Sequence, residues 1–148
     1  MTLPDDVHIR TLRIRDYEDL LQLWNRVGLS CRPQGRDRRD QVAREIRRKR
    51  SLFLVAERQE RIVGSILATH DGRKGWINRV AVAPESRGQG LAKELVAKAE
   101  AWIMERGIEM TACLIEQDNA ASIQLFRRLG YEEYGGLVYL RKKRHPGV

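Results

Sequence analysis

Only two cysteines occur in the chain, Cys31 and Cys113, far apart and in no C-x-x-C pair, so neither a disulfide framework nor a zinc cluster is expected. His8, His70 and His145 are scattered without metal-ligand spacing, and no metal is expected. No apolar run approaches the ~18 residues of a membrane-spanning helix. Asp5 and Asp6 stand where a signal peptide would be basic and then apolar. A cytoplasmic protein with no membrane partner is the expectation.

What the sequence does hold is positive charge. Its 148 residues carry 28 Lys and Arg against 20 Asp and Glu, a net charge of +8. Such an excess favours anionic partners, whether nucleic acid, acidic protein or a phosphorylated cofactor. The length fits one domain, residues 1–148, with residues 142–148 as a short basic tail.

The most informative stretch is 76–92. Val80 and Val82 alternate with Arg79 and Ala81, which favours a strand, and Pro84 closes it because it has no N–H to give. Beyond the turn, Leu91, Leu95, Ala99 and Trp102, flanked by Ala92, Val96 and Ile103, recur at three- and four-residue steps, giving a helix that ends at Gly107. A helix start presents unpaired N–H groups and a partial positive charge. Gly88 and Gly90 let an anion approach the backbone, and Arg87 adds a fixed charge. The stretch reads as a phosphate cradle.

The remaining elements follow in order. Residues 8–14 read as an opening strand, and Asp16 as the N-cap of a helix to Arg26. Gly28, Pro33 and Gly35 mark a loop, and Asp37 or Asp40 is expected to cap a second helix to about Lys49. Residues 51–57 and 62–68 read as a hairpin, and Asp71 to Gly75 as the turn into the strand of residues 76–82. Met110 to Ile115 gives a fifth strand, parallel to the fourth. Asn119 caps a helix that stops at Gly130, and residues 131–135 and 137–141 are expected as final strands.

Arg87-Gly88-Gln89-Gly90-Leu91-Ala92 fits the R/Q-x-x-G-x-G/A signature of the GNAT superfamily of acyl-CoA N-acyltransferases. A second block, Asn119-x-x-Ser122-x-x-x-Phe126-x-x-x-Gly130-Tyr131, resembles that family's N-x-x-A-x-x-x-Y-x-x-x-G-F. The resemblance spans roughly residues 8–141 and is to small single-domain bacterial acetyltransferases. It implies an α/β (α+β) fold with a mixed sheet of six to seven strands, about four helices, and strands four and five splayed apart. It also implies acetyl-CoA as co-substrate, transferring acetyl to a primary amine by direct attack in a ternary complex. Arg87, Gly88, Gln89, Gly90, Leu91 and Ala92 would hold the pyrophosphate and Val80, Ala81 and Val82 the pantetheine arm. Asn119, Ser122 and Phe126 would complete the cofactor side.

Phe126 stands where many family members have a tyrosine that protonates the leaving thiolate. Tyr131 and Tyr134 are the remaining candidate acids, and Glu116 the candidate base acting through water. Against cofactor duty, Asn119 reads equally as a helix cap, and Tyr131 as core. Two other functions stay open at this point: a basic RNA-binding or RNA-acting protein, and a CoA-binding fold without turnover. Residues 32–50 hold nine cations against three carboxylates. In the family this region flanks the acceptor channel, so a small-molecule or peptide acceptor of acidic character is expected.

Overall fold

The computed structural model describes residues 2–148. Five strands form one sheet in the order β1-β2-β3-β4-β5: Val7–Thr11, Ser51–Arg58, Arg61–His70, Gly75–Val82 and Thr111–Cys113. The helices are α1 (Tyr17–Arg26), α2 (Arg39–Arg47), α3 (Leu91–Met104) and α4 (Ala120–Arg128). Strands β1 to β4 pair antiparallel, and β5 joins β4 in parallel after the α3 crossover.

Helices cover both faces of the sheet. On β3, Gly64 faces Leu91 and Leu95 of α3, while its neighbour Ser65 accepts a bond from the Trp24 indole on α1. That alternation is the period-2 geometry of a strand buried on both sides. Trp24, Leu20 and Leu23 from α1 and Leu95, Val96 and Ile103 from α3 are almost wholly buried.

Strand β4 carries an irregularity that decides the site. Leu67 pairs with Asn78 but Ser65 with Ala81, so one extra residue is inserted on β4 opposite Ile66. Arg79 sits there with φ 58°. A bulge of this kind adds twist and shifts the parity of the strand. Accordingly Gly75, before it, and Val82, opposite Gly64 beyond it, both face α3.

The hairpin between β2 and β3 is a two-residue turn with Gln59 at φ 51° and Glu60 at φ 62°. Two positive φ values define the mirror-image turn that suits strand twist, built here without glycine. Glu60→Gly removes left-handed strain of ~1 kcal/mol and returns part of it as unfolded-state entropy. The expected gain is about 0.5 kcal/mol, read as a higher urea midpoint at unchanged slope.

Three expectations are corrected. Asp16 does not cap α1: its carboxylate accepts both Arg10 NH groups, at 2.7 and 2.9 Å, and the Arg13 N–H at 2.8 Å. The Arg10 guanidinium accordingly holds that carboxyl below its ordinary range. Neither Asp37 nor Asp40 caps α2, whose N-cap is Arg38 with no side-chain bond. Asp40 instead accepts from the Arg38 side chain.

The sheet has five strands rather than six or seven. Residues 131–135 and 137–141 form no strand, and Leu137, Val138, Tyr139 and Leu140 lie exposed. A run of apolar and aromatic residues becomes a strand only where a partner edge and a face to bury exist. The ladder on β5 stops at Cys113, and Leu114 beyond it is itself exposed.

Candidate active site

The β4–β5 ladder consists of Gly75 with Thr111, Trp76 with Ala112 and Ile77 with Cys113. Strand β4 continues to Val82 without a β5 partner. The two strands therefore part after Ile77, next to the bulge, and leave a gap bordered by backbone groups of residues 78–82. This is the splay expected from the resemblance.

The gap leads to the glycine turn. Ala83 is buried, Pro84–Ser86 form one 3-10 turn, and Gly88 and Gly90 have φ 76° and 79°. A Cβ on Gly88 would meet nothing within 4 Å, so that face of the turn is open. Gly90 is the N-cap of the 14-residue α3 and makes no side-chain cap bond. Glu94 N–H is the first to bond back, to Gly90 O at 3.0 Å, so the amides of the preceding first turn point outward. Arg87 is exposed, and its Nε donates to Val82 O at 3.2 Å, tying the cradle back to β4. The open Gly88, bare helix amides and an exposed arginine suit a pyrophosphate, and the adjoining gap suits an extended amide arm.

Helix α4 follows β5 in the chain. Asn119 caps it, its Oδ1 accepting Ser122 N–H at 3.2 Å. Ser122 is half-buried, while Phe126 is buried and meets Tyr131 edge-to-face at 4.9 Å. The Tyr131 hydroxyl donates to Glu100 Oε2 on α3 at 3.2 Å. Burial, then that carboxylate, pushes the Tyr131 hydroxyl well above its ordinary value. Tyr134 and Glu116 are exposed. Burial raises both Cys31 and Cys113, so each is a neutral thiol at neutral pH.

A polar cluster the sequence reading missed joins the α1–α2 loop to the bulge. Arg79 Nη2 donates to both Asp37 oxygens, at 2.8 and 2.9 Å, and its guanidinium lies 5.0 Å from the Trp24 ring centre. Ser65 Oγ donates to Arg79 O at 2.8 Å while accepting the Trp24 indole N–H at 3.0 Å. Asp37 also accepts Arg32 N–H at 2.7 Å, and its carbonyl takes the Tyr17 hydroxyl at 2.7 Å. The sequence signal was a lone arginine within an apolar strand run.

A mixed sheet whose parallel pair parts beside a glycine-opened helix start defines a transferase of the acyl-CoA-using class. The chain belongs to the acetyltransferase (GNAT) family, whose model matches residues 16–131. It is 33% identical over 137 residues to an acetyltransferase of Sodalis glossinidius, covering 93% of this chain and 95% of that one. The PaiA N-acetyltransferase of Thermoplasma acidophilum, solved in complex with coenzyme A, superposes with TM-score 0.74 at 21% identity, covering 85% of this chain and 89% of the other. The aminoglycoside 6'-N-acetyltransferase AAC(6')-Ig of Acinetobacter haemolyticus gives 0.75 at 22%, covering 93% and 99%. The protein is thus an acetyltransferase with acetyl-CoA as co-substrate. Among the described residues no group of His, Cys, Asp and Glu is arranged to hold a metal, and no helix is long and apolar enough to cross a membrane.

Proposed function

We propose that the protein transfers the acetyl group to a primary amine of an acidic small acceptor, by direct attack within a ternary complex. The observation that carries this is the β4–β5 gap running into the left-handed glycine turn at Gly88 and Gly90, open at Gly88. Backbone groups of Val80, Ala81 and Val82 would hold the pantetheine arm and polarise the thioester carbonyl, with Gly88 to Ala92 and Arg87 on the pyrophosphate. The amine nitrogen bonds to the carbonyl carbon, the C–S bond breaks, and CoA leaves as thiolate.

No protein acid is required for that departure, because a thiol with an ordinary pKa near 8.5 leaves readily as thiolate. Phe126 has no hydroxyl to give, and that of Tyr131 is committed to Glu100. Tyr131 thus supports the α3–α4 packing. Glu116, exposed beyond the end of β5, would take the ammonium proton through water.

Acceptor chemistry follows from the first two helices and their loop. All nine cations between Arg32 and Arg50 are exposed. Arg38, Arg39 and Arg48 pair with Asp40, Glu18 and Glu45 at 3.1, 3.8 and 3.5 Å, whereas Arg36, Arg44 and Arg47 make no ion pair among the described residues. Two clefts flank the loop, one of about 420 Å³ against α1 beside Leu29, Cys31 and Pro33, the other of about 390 Å³ beside Arg36, Arg38 and Arg48. The arginines of the second cleft favour amines that also carry carboxylate or phosphate, whereas the first is lined by Glu18 and no cation. The aminoglycoside enzyme shares the fold and brings no substrate with it.

Screening acceptor amines for CoA release tests this reading. Acidic amines are expected to turn over with a KM that rises as salt shortens the Debye length from ~10 Å at 0.1 M to ~3 Å at 1 M. Reversing Arg36, Arg44 and Arg47 to Glu is expected to raise that KM at least about tenfold, or 1.4 kcal/mol, with CoA affinity unchanged. Efficient, salt-insensitive acetylation of spermine, untouched by the reversal, would sink the acidic-acceptor assignment.

A further inference from the structure

Arg79 is the residue inserted by the bulge, and it holds a left-handed φ of 58° that costs an L-residue ~1–2 kcal/mol. Something must hold it there. The ladder to β5 ends at Ile77, two residues earlier, and the gap begins where the bulge does. Relaxed to ordinary extended backbone, Arg79 would let β4 straighten and pair further along β5, closing the gap.

The restraints come from the other side of the sheet. Ser65 and Trp24 fix the Arg79 carbonyl, while Asp37 grips its guanidinium with both oxygens. Both bonds to Asp37 come from Nη2 while Nη1 donates to Ser30 O, so the guanidinium is fixed at two of its nitrogens, one of them by a charge-assisted bond. Arg79 is largely buried, with 15% of its side chain exposed, and Asp37 has 9%, so losing one partner strands the other. Asp37 is in turn the knot of its own loop, held by the Arg32 amide and the Tyr17 hydroxyl, while Ser30 O accepts from Arg79 Nη1.

We infer that Asp37 is a positioning residue for acetyl-CoA: gripping Arg79, it holds the β4 bulge, and so the cofactor gap, open from the acceptor-side loop. The inference rests on the transferase reading above and deepens it, since the state of the α1–α2 loop then sets the shape of the cofactor site. Asp37 belongs to the α1–α2 loop and Arg79's side chain points to α1, so neither is a cradle residue. The loop and the gap share one free energy, and disturbing one must change affinity at the other.

The test is calorimetric titration of CoA into the folded wild-type protein, Asp37→Asn, Arg79→Lys and the double variant, with each fold checked by circular dichroism. Asp37→Asn keeps the shape and removes the charge; Arg79→Lys keeps the charge and removes the planar group that reaches Asp37 and Ser30 O together. Each single variant is expected to weaken CoA about tenfold, and the double variant no more than the worse single, since both break one contact. Asp37→Glu, which retains a carboxylate, is expected to recover most of the affinity. The Trp24 indole N–H resonance, assigned by its loss in Trp24→Phe, is expected to shift with CoA in wild type and not in Asp37→Asn.

Lower melting temperatures with unchanged CoA affinity in folded single variants would overturn the inference and leave the transferase reading intact. If Asp37→Asn fails to fold, Arg79→Lys with its Trp24 signal decides alone. A wild-type protein that binds no CoA would instead overturn both.

Discussion

Gly90→Val is expected to abolish CoA binding, weakening it by more than about 100-fold, equivalent to ~2.7 kcal/mol, while the protein stays folded. Gly90 sits at φ 79° immediately before the first turn of α3, where the outward amides gather. A β-branched side chain there blocks the approach of a pyrophosphate and strains the turn by ~1–2 kcal/mol, tilting the same amides away. Stability and binding are separated by a control at the other end of the helix. Gly107 has φ 75° with open space around its Cβ direction, so Gly107→Val carries the same backbone strain about 20 Å away. That variant is expected to melt lower and bind CoA as wild type does. Titration calorimetry of both checks the pair; equal CoA affinities in Gly90→Val and wild type would remove the cradle assignment.

Gly75→Ala is expected to destabilise the fold by about 3 kcal/mol and to lower the melting temperature by roughly 10 °C. Strand β4 begins here, facing α3, and a Cβ would stand 2.5, 2.6 and 2.9 Å from three atoms of Ile103. Ile103 is fully buried, so it has nowhere to turn. Gly64 repeats the arrangement more gently, its Cβ direction 3.2 Å from Leu91 and Leu95. These two sheet glycines let α3 lie close against the sheet, and α3 carries the cradle at its start. In an Ile103→Ala background the cost of Gly75→Ala is expected to shrink by at least about 2 kcal/mol, because the clashing atoms are gone. Thermal melts of the four proteins test it; an undiminished cost would place the strain elsewhere.

Much of this architecture was legible because its signals are local. The two glycines ahead of the Leu91, Leu95, Ala99 stripe marked the left-handed turn and the helix start, and Asp71-Gly72 marked a turn whose Asp71 Oδ1 accepts the amides of Arg73 and Lys74. Asn119 capped α4 as its spacing implied. Asp16 and Asp37 were misread for one physical reason: a short acidic side chain before a helix caps it unless an arginine elsewhere offers a stronger, charge-assisted bond. For Asp37 that arginine is 42 positions away, at Arg79. The bulge was hidden likewise, since nothing in Asn78-Arg79-Val80 reports an unmatched residue on β3. At residues 137–140 the apolar run Leu-Val-Tyr-Leu suits a strand, yet no neighbouring strand edge receives it.

The central claim is that acetyl-CoA seats along the opened edge of β4 and ends on the start of α3. The most direct measurement is a CoA titration followed through assigned backbone amide resonances. Saturable shifts are expected for Val80, Ala81, Val82 and Gly88 through Ala92, with the hairpin at Gln59 and Glu60 unmoved. Saturation without shifts at Val80 to Val82 and Gly88 to Ala92, or no saturation at all, would contradict it.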